Sequence, residues 1–274
     1  MTINIKGKLL DFTFPKIMGI LNITPDSFFD GGKYNSKGEI LKQVEKMIIS
    51  GAEIIDIGGY SSRPGANDIS VKKELDRVIP TIKLIKEKYP SIIVSIDTFR
   101  SKVAKESIIS GADLVNDISG GNLDSKMFKT VSKYKVPYIL MHMRGNPSNM
   151  MNKTLYDDVT KDICKYFSER IALAKSAGIN DIIIDPGFGF SKTTNQNYEL
   201  LNNLDFFKQL HRPIIVGVSR KSMIYKTLNT TPKNALNGSS VLHTISLMKG
   251  ANILRTHDVK EAVECVKIFK QLNG

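Results

Sequence analysis

Polar and ionisable side chains recur at one kind of place in this sequence, the end of each short apolar run. In order they are Asn22, Asp56, Asp97, Asn116, His142, Asp185, Ser219 with Lys221, and Arg255 with His257. A lone Asp in such a position is ordinarily a helix N-cap or a turn residue. Recurrence after every run instead calls for one concave polar site shared by all of them. Asp97, Asn116 and Asp185 bring acceptors and one amide, a set suited to a heterocycle edge with amino and ring N–H donors. Asn22, Arg255 and His257 are donors of the kind that hold phosphate, and a guanidinium does so bidentately. The glycines Gly58, Gly59, Gly120, Gly121, Gly187 and Gly189 let backbone approach a ligand closely. HExxH, HxxxH and a nucleophile elbow are absent, so structural zinc and serine hydrolysis find no support. His211, near Pro213, and His243 are expected to be structural or surface residues.

Two loops add donors over the same place. Residues 22–32 (NITPDSFFDGG) are long, polar and end in glycines, and Ser61-Ser62-Arg63-Pro64-Gly65 puts two hydroxyls and an arginine on a Pro-Gly turn. Their length and donor density suggest lids that close on anions.

The elements that must carry these residues follow from the rhythm of the chain. Apolar, β-branched runs lie at Ile17–Ile23, Ile54–Ile57, Ile92–Ile96, Leu114–Ile118, Tyr138–Met143, Ile182–Ile184, Ile214–Val218 and Ile253–Leu254. Runs of this kind suit parallel strands covered on both faces. Between them lie helical stripes such as Val71, Leu75, Val78, Ile82 and Ile85, or Ile40, Val44 and Met47. Gly51, Gly111, Gly178 and Gly250 stand where helices should stop before the next strand. Eight strands alternating with eight helices predict a (β/α)8 TIM barrel, with residues 1–16 as a short N-terminal β-hairpin across its bottom. A doubly wound sheet is disfavoured because no Gly-rich dinucleotide fingerprint follows the first strand.

Composition bounds the alternatives. The 274 residues are 41% hydrophobic and 24% charged, enough for a sizeable core. Cys164 and Cys265 lack C-x-x-C spacing, which points to a reducing compartment. The N-terminus shows no signal-peptide core and no run is long enough to span a membrane, so a cytoplasmic location is expected. The formal charge of +12 comes from lysines scattered among glutamates, without a basic block or interleaved aromatics. That pattern argues for solvated surface, and neither a nucleic-acid nor a membrane partner is expected.

Seven segments then resemble, in order and nearly end to end, the dihydropteroate synthases of the pterin-binding TIM-barrel family. They are MGILNITPDSFFDGG (18–32), GAEIIDIGGYSSRPGA (51–66), SIDTFR (95–100), NDISGG (116–121), DPGFGF (185–190), VSRKS (218–222) and RTHD (255–258). The resemblance implies one barrel domain over 1–274 and a transferase of folate biosynthesis. It would condense 6-hydroxymethyl-7,8-dihydropterin diphosphate with p-aminobenzoate, with Mg²⁺ assisting and sulfonamides competing. By position, Asp56, Asp97, Asn116, Met141, Asp185, Phe188, Gly217, Lys221 and Arg255 would surround the pterin. Phe28, Ser61, Ser62, Arg63, Pro64, Phe190 and Ser219 would face p-aminobenzoate or a sulfonamide. Asn22, Arg63, Arg255 and His257 would meet the diphosphate, Asn22 being the metal-linked residue. Asp97, Lys221, Arg255, His257 and Asn22 would carry catalysis, and the resemblance suggests a homodimer through helices near the end of the chain. Phe29, Ser62 and Tyr225 depart from the family pattern, where a small Ser, a Thr and a Gly are usual. None removes a group the reaction needs. A pterin-dependent methyltransferase of the same barrel family is the alternative, but it has no use for diphosphate donors.

Overall fold

The computed structural model describes residues 1–24, 37–62 and 67–273. A two-stranded antiparallel hairpin, β1 (Thr2–Ile5) and β2 (Lys8–Asp11), precedes a ring of eight parallel strands. The ring runs β3 (Lys16–Asn22), β4 (Ile54–Gly58), β5 (Ile93–Asp97), β6 (Leu114–Asp117), β7 (Tyr138–Met141), β8 (Ile182–Asp185), β9 (Ile215–Val216) and β10 (Ile253–Thr256). β10 pairs with β3, while β8 meets β9 through a bridge between Ile184 and Ile214.

The outer layer holds α1 (Lys37–Ile49), α2 (Val71–Lys88), α3 (Ser101–Ile109), α4 (Met127–Tyr134), α5 (Val159–Ser176), α6 (Thr194–Asn202), α7 (Ser222–Thr227), α8 (Leu236–Met248) and α9 (Val259–Asn273). The described residues thus hold one helix more than the rhythm predicts. The addition is α7, six residues between β9 and α8, too short to leave a helical stripe in the sequence. The four predicted stop glycines all sit at positive φ. Side-chain caps start several helices: Ser70 accepts from Lys73 N at 3.2 Å, and Thr193 with Gln196 forms a capping box.

Within each strand the apolar run conceals an alternation. Ile55 and Ile57 of β4 face the helices, as do Val94 and Ile96 of β5. Ile54, Ile93, Leu114, Ile139, Ile183, Ile215 and Ile253 instead fill the lower barrel, where Ile3, Ile5 and Phe12 of the hairpin segment seal the bottom. Two residues on, the same inward faces present Asp56, Ser95, Asn116, Met141, Asp185, Gly217 and Arg255, following the period-2 geometry of strands. The barrel interior therefore changes from apolar to charged along its axis, towards the C-terminal strand ends.

Candidate active site at the barrel mouth

Arg255 lies at the centre of this upper layer. Its Nε donates to Asp56 Oδ2 at 2.7 Å and its Nη2 to Asp97 Oδ2 at 2.8 Å. Asn116 Nδ2 donates to the same Asp56 oxygen at 3.0 Å. The remaining oxygens, Asp56 Oδ1 and Asn116 Oδ1, are buried without a partner, and so is Ser95 Oγ. Buried acceptors of this kind are costly unless a donor meets them. They suit a flat ligand rich in N–H groups.

Lys221 follows β9, the strand paired with the β10 strand that carries Arg255. Its Nζ donates to the Phe188 carbonyl and lies 4.9 Å from the Phe190 ring centroid. A Cβ placed on Gly217 would stand 3.9 Å from both Lys221 Nζ and Arg255 Cδ, so the two cations flank one small space. Met141 belongs to an apolar cluster with Ile118, Met143 and Met150, against which Phe99 and Phe190 pack. Phe188 is different: its ring is buried in the layer between barrel and helices, and the wall falls to Met141 and Phe190. Gly187 allows this turn. It has φ +73°, and a Cβ there would come within 2.1 Å of the His142 carbonyl. Its amide donates to Asp185 Oδ1 at 2.8 Å.

The electrostatics follow from burial and pairing. Burial pushes the Asp97 carboxyl up to about 7, with Arg255 opposing and Asp56 adding to the rise. Asp185 is also raised by burial, against the pull of Lys221. Burial brings Lys221 down to about 8, with Asp185 opposing. Burial disfavours the Arg255 cation, yet Asp56 and Asp97 more than compensate and hold it protonated. Three carboxyl groups, Asp56, Asp97 and Asp185, and two cations thus share a poorly solvated space, the setting in which proton affinities are tuned for chemistry.

At the rim, Asn22 ends β3. The point where a Cβ on Gly58 would stand is 3.1 Å from Asn22 Oδ1 and 3.9 Å from Asp97 Oδ2. Ser219 is buried and its Oγ lies 3.2 Å from His257 Nδ1, accepting also from His257 N at 3.2 Å. Arg220 and Asp258 lock these two loops by a bidentate ion pair, both bonds 2.8 Å. Ser61 and Ser62 are half-buried on the loop after β4. Phe28, Phe29, Arg63 and Pro64 lie outside the described residues. Tyr225, in α7, packs against the main core.

His142 does not join the mouth. Met141 is the last inward residue of β7, so the next residue turns outward. Its ring packs against Tyr166 at 4.8 Å and its Nδ1 faces Lys192 Nζ at 3.1 Å. Burial, with Lys192 second, keeps this imidazole well below its usual proton affinity. Lys192 is itself buried and donates to Gly187 O and Phe190 O, each at 3.0 Å, bracing the turn beside Lys221. Ser95 and Lys192 escape a reading based on strand ends. A period-2 count back from Asp97 finds the first, and the position directly after DPGFGFS marks the second.

The pattern of the pterin binding enzymes matches residues 18–257. The chain belongs to that family. A dihydropteroate synthase of Escherichia coli K12 is 43% identical over 267 residues, covering 97% of this chain and 94% of its own length. A Yersinia pestis dihydropteroate synthase solved with a sulfonamide drug superposes with a TM-score of 0.96 at 41% identity, covering 100% of this chain and 99% of that one. The Xanthomonas albilineans dihydropteroate synthase solved with 4-aminobenzoic acid gives a TM-score of 0.92 at 34% identity, covering 100% and 98%. Within the family, these relatives are synthases rather than methyltransferases.

Proposed function

We propose that this chain is a dihydropteroate synthase, joining the pterin methylene of 6-hydroxymethyl-7,8-dihydropterin diphosphate to the amine of p-aminobenzoate and releasing pyrophosphate. The observation that carries this reading is the convergence of Asp56, Asp97, Asn116, Asp185, Lys221 and Arg255 at the mouth, with unpartnered buried oxygens on Asp56 and Asn116. Asn116 and Asp185 would accept from the pterin's amino and ring N–H groups, and Lys221 would donate to a ring acceptor. Arg255, released in part from its carboxylates, would lie against the ring and extend to the diphosphate.

The bond from the methylene carbon to the diphosphate oxygen breaks with its electron pair leaving on pyrophosphate. Asn22, Arg63, Arg255 and His257 would take up the negative charge that develops there. The cation left on the pterin is delocalised into its ring, and ionised Asp97 stabilises it through space. The amine lone pair then forms the C–N bond and its proton is lost to solvent. Ser61, Ser62, Arg63, Pro64, Phe28, Phe190 and Ser219 would orient the aromatic amine. An aromatic amine is already nucleophilic, so no covalent enzyme intermediate is expected.

Among the described residues no group of three or more His, Cys, Asp or Glu side chains is gathered to hold a metal. Mg²⁺ fits such a site when it is shared with substrate, because it keeps water ligands and takes one or two protein oxygens plus phosphate. Asn22, with its amide oxygen at the rim, would be its protein partner. Bound there, the ion would withdraw charge from the leaving pyrophosphate.

A second copy of the chain is the proposed partner. Val241, Ile245 and Met248 recur along α8 at steps of four and three and are exposed, as are Ile268 and Leu272 of the adjoining α9. Exposed apolar side chains on two adjoining helices suit a homodimer interface. Among the described residues no helix is long and apolar enough to cross a membrane. Cys164 and Cys265 are unpaired, which supports the reducing cytoplasm as the location.

The direct test is pyrophosphate release that requires both substrates and Mg²⁺, repeated with a sulfonamide. Competitive inhibition against p-aminobenzoate is expected. Methyl transfer from a folate donor, without diphosphate turnover, would replace this reading by the methyltransferase.

A further inference from the structure

Away from the mouth, α2 sends a carboxylate into the core. Glu74 is fully buried and accepts from Thr98 Oγ1 at 2.7 Å and from Arg100 Nη1 at 2.8 Å. Arg100 also reaches Asp68 Oδ1 at 2.8 Å, and its guanidinium lies 5.1 Å from the Tyr60 ring and 5.2 Å from the Phe99 ring. Those two rings meet edge-on with centroids 5.0 Å apart. Three residues along α2, Arg77 Nη1 donates to the Gly59 carbonyl at 2.7 Å. Gly59 packs so tightly that a Cβ there would stand 2.6 Å from Val78 Cγ1 and 3.3 Å from Glu74 Cγ.

One helix end thus grips two loop stems at once. The stem after β4 carries Ser61 and Ser62, and the stem after β5 begins one residue beyond Asp97. Thr98 is tied inward as well, its amide donating to Asn116 O at 2.9 Å, while its hydroxyl receives Arg100 N at 3.2 Å. A buried carboxylate is costly, and burial raises the proton affinity of Glu74 against the pull of Thr98 and Arg100. An apolar side chain would fill the same space more cheaply. What the carboxylate adds is a fixed registry between the two stems.

We propose that Glu74, acting through Thr98 and Arg100, is a positioning residue that sets the Ser61–Ser62 stem against Asp97 and thereby fixes the line of approach of the aromatic amine. This rests on the reading that Ser61 and Ser62 face p-aminobenzoate.

The test uses the full chain with Glu74→Gln, nearly isosteric, and Arg100→Gln, on the more exposed side of the pair. Glu74→Gln is expected to raise KM for p-aminobenzoate about tenfold or more, since small misplacements of reacting groups are expensive. The Kd of the pterin diphosphate alone should stay within about twofold. The double variant should be no worse than Glu74→Gln, because the two side chains act as a unit. Ser62→Ala reports independently on the subsite. If Ser62→Ala raises KM for p-aminobenzoate and Glu74→Gln does not, the positioning role is overturned. If Ser62→Ala leaves KM unchanged, the subsite reading fails instead. Hydrogen exchange then decides on the positioning role alone. Faster exchange of Glu74→Gln confined to residues 58–62 and 98–100 supports it, whereas unchanged exchange, or an increase spread over the whole chain, overturns it.

Discussion

Asp97 answers to two opposed demands. In the proposed reaction its carboxylate would have to be ionised to oppose a pterin cation, yet burial pushes its proton affinity up to about 7, helped by Asp56 and resisted by Arg255. Turnover should therefore fall as pH drops through about 7. Lys221, brought down to about 8 by burial against the pull of Asp185, loses its proton on the other side. A narrow bell in kcat/KM between those limits is the expected profile, measured with free enzyme and limiting pterin diphosphate. The same raised value has a consequence for folding. A carboxyl whose folded-state pKa exceeds its ordinary 3.8 favours the native state when protonated, and that contribution is lost as pH rises through about 7. Asp97→Asn should accordingly gain thermal stability relative to the parent protein as pH is raised from about 6 to about 8, while kcat falls by about 10²–10³-fold. A variant whose pterin affinity fell as far as its kcat would show that Asp97 only grips the ring.

At the scale of elements, the loops after β9 and β10 depend on one ion pair. Arg220 stands at φ +55°, an uncommon conformation for a side chain of its size, and its guanidinium spans Asp258, Pro232 O and Lys233 O. Ser219 and Lys221 flank it, so the pair orients both walls of the site. Removing one partner of a buried pair leaves the other uncompensated, and Asp258→Ala should cost about 3–5 kcal/mol in urea unfolding. The order of strands and helices was legible because strands covered on both faces must be apolar throughout. The mouth was legible for a related reason, since polarity at those run ends has no place in the core. Other features left no such trace. Ser95 is submerged in an apolar run, Glu74 sits among the charges of a helix, and α7 is too short to show a period. His142 misled because one step past Met141 reverses the direction of the side chain.

For the whole molecule, the apolar face of α8 and α9 and the charge of +12 make different demands. The face suits the proposed second copy of the chain, whereas the charge favours dispersal. Ile245→Glu should convert the expected dimer to a monomer in light scattering, with folding retained because residue 245 is exposed. Raising salt should strengthen dimerisation by screening like charges, an effect readable in the same instrument.

The ring of strands has its own asymmetry. β8 and β9 meet by the Ile184–Ile214 bridge and by Ile184 N donating to Pro213 O at 2.9 Å, whereas β3 and β4 share a five-residue register. Asp185 stands on one side of that seam and Lys221 beyond the other. A pterin held by both would act as a staple across the weakest join, and would add cooperativity where the backbone makes few bonds. Amide exchange at Ile184 and Ile215 should slow on pterin binding more than at Ile55 or Val94. On that reading the ligand would tighten the seam at which the ring already closes.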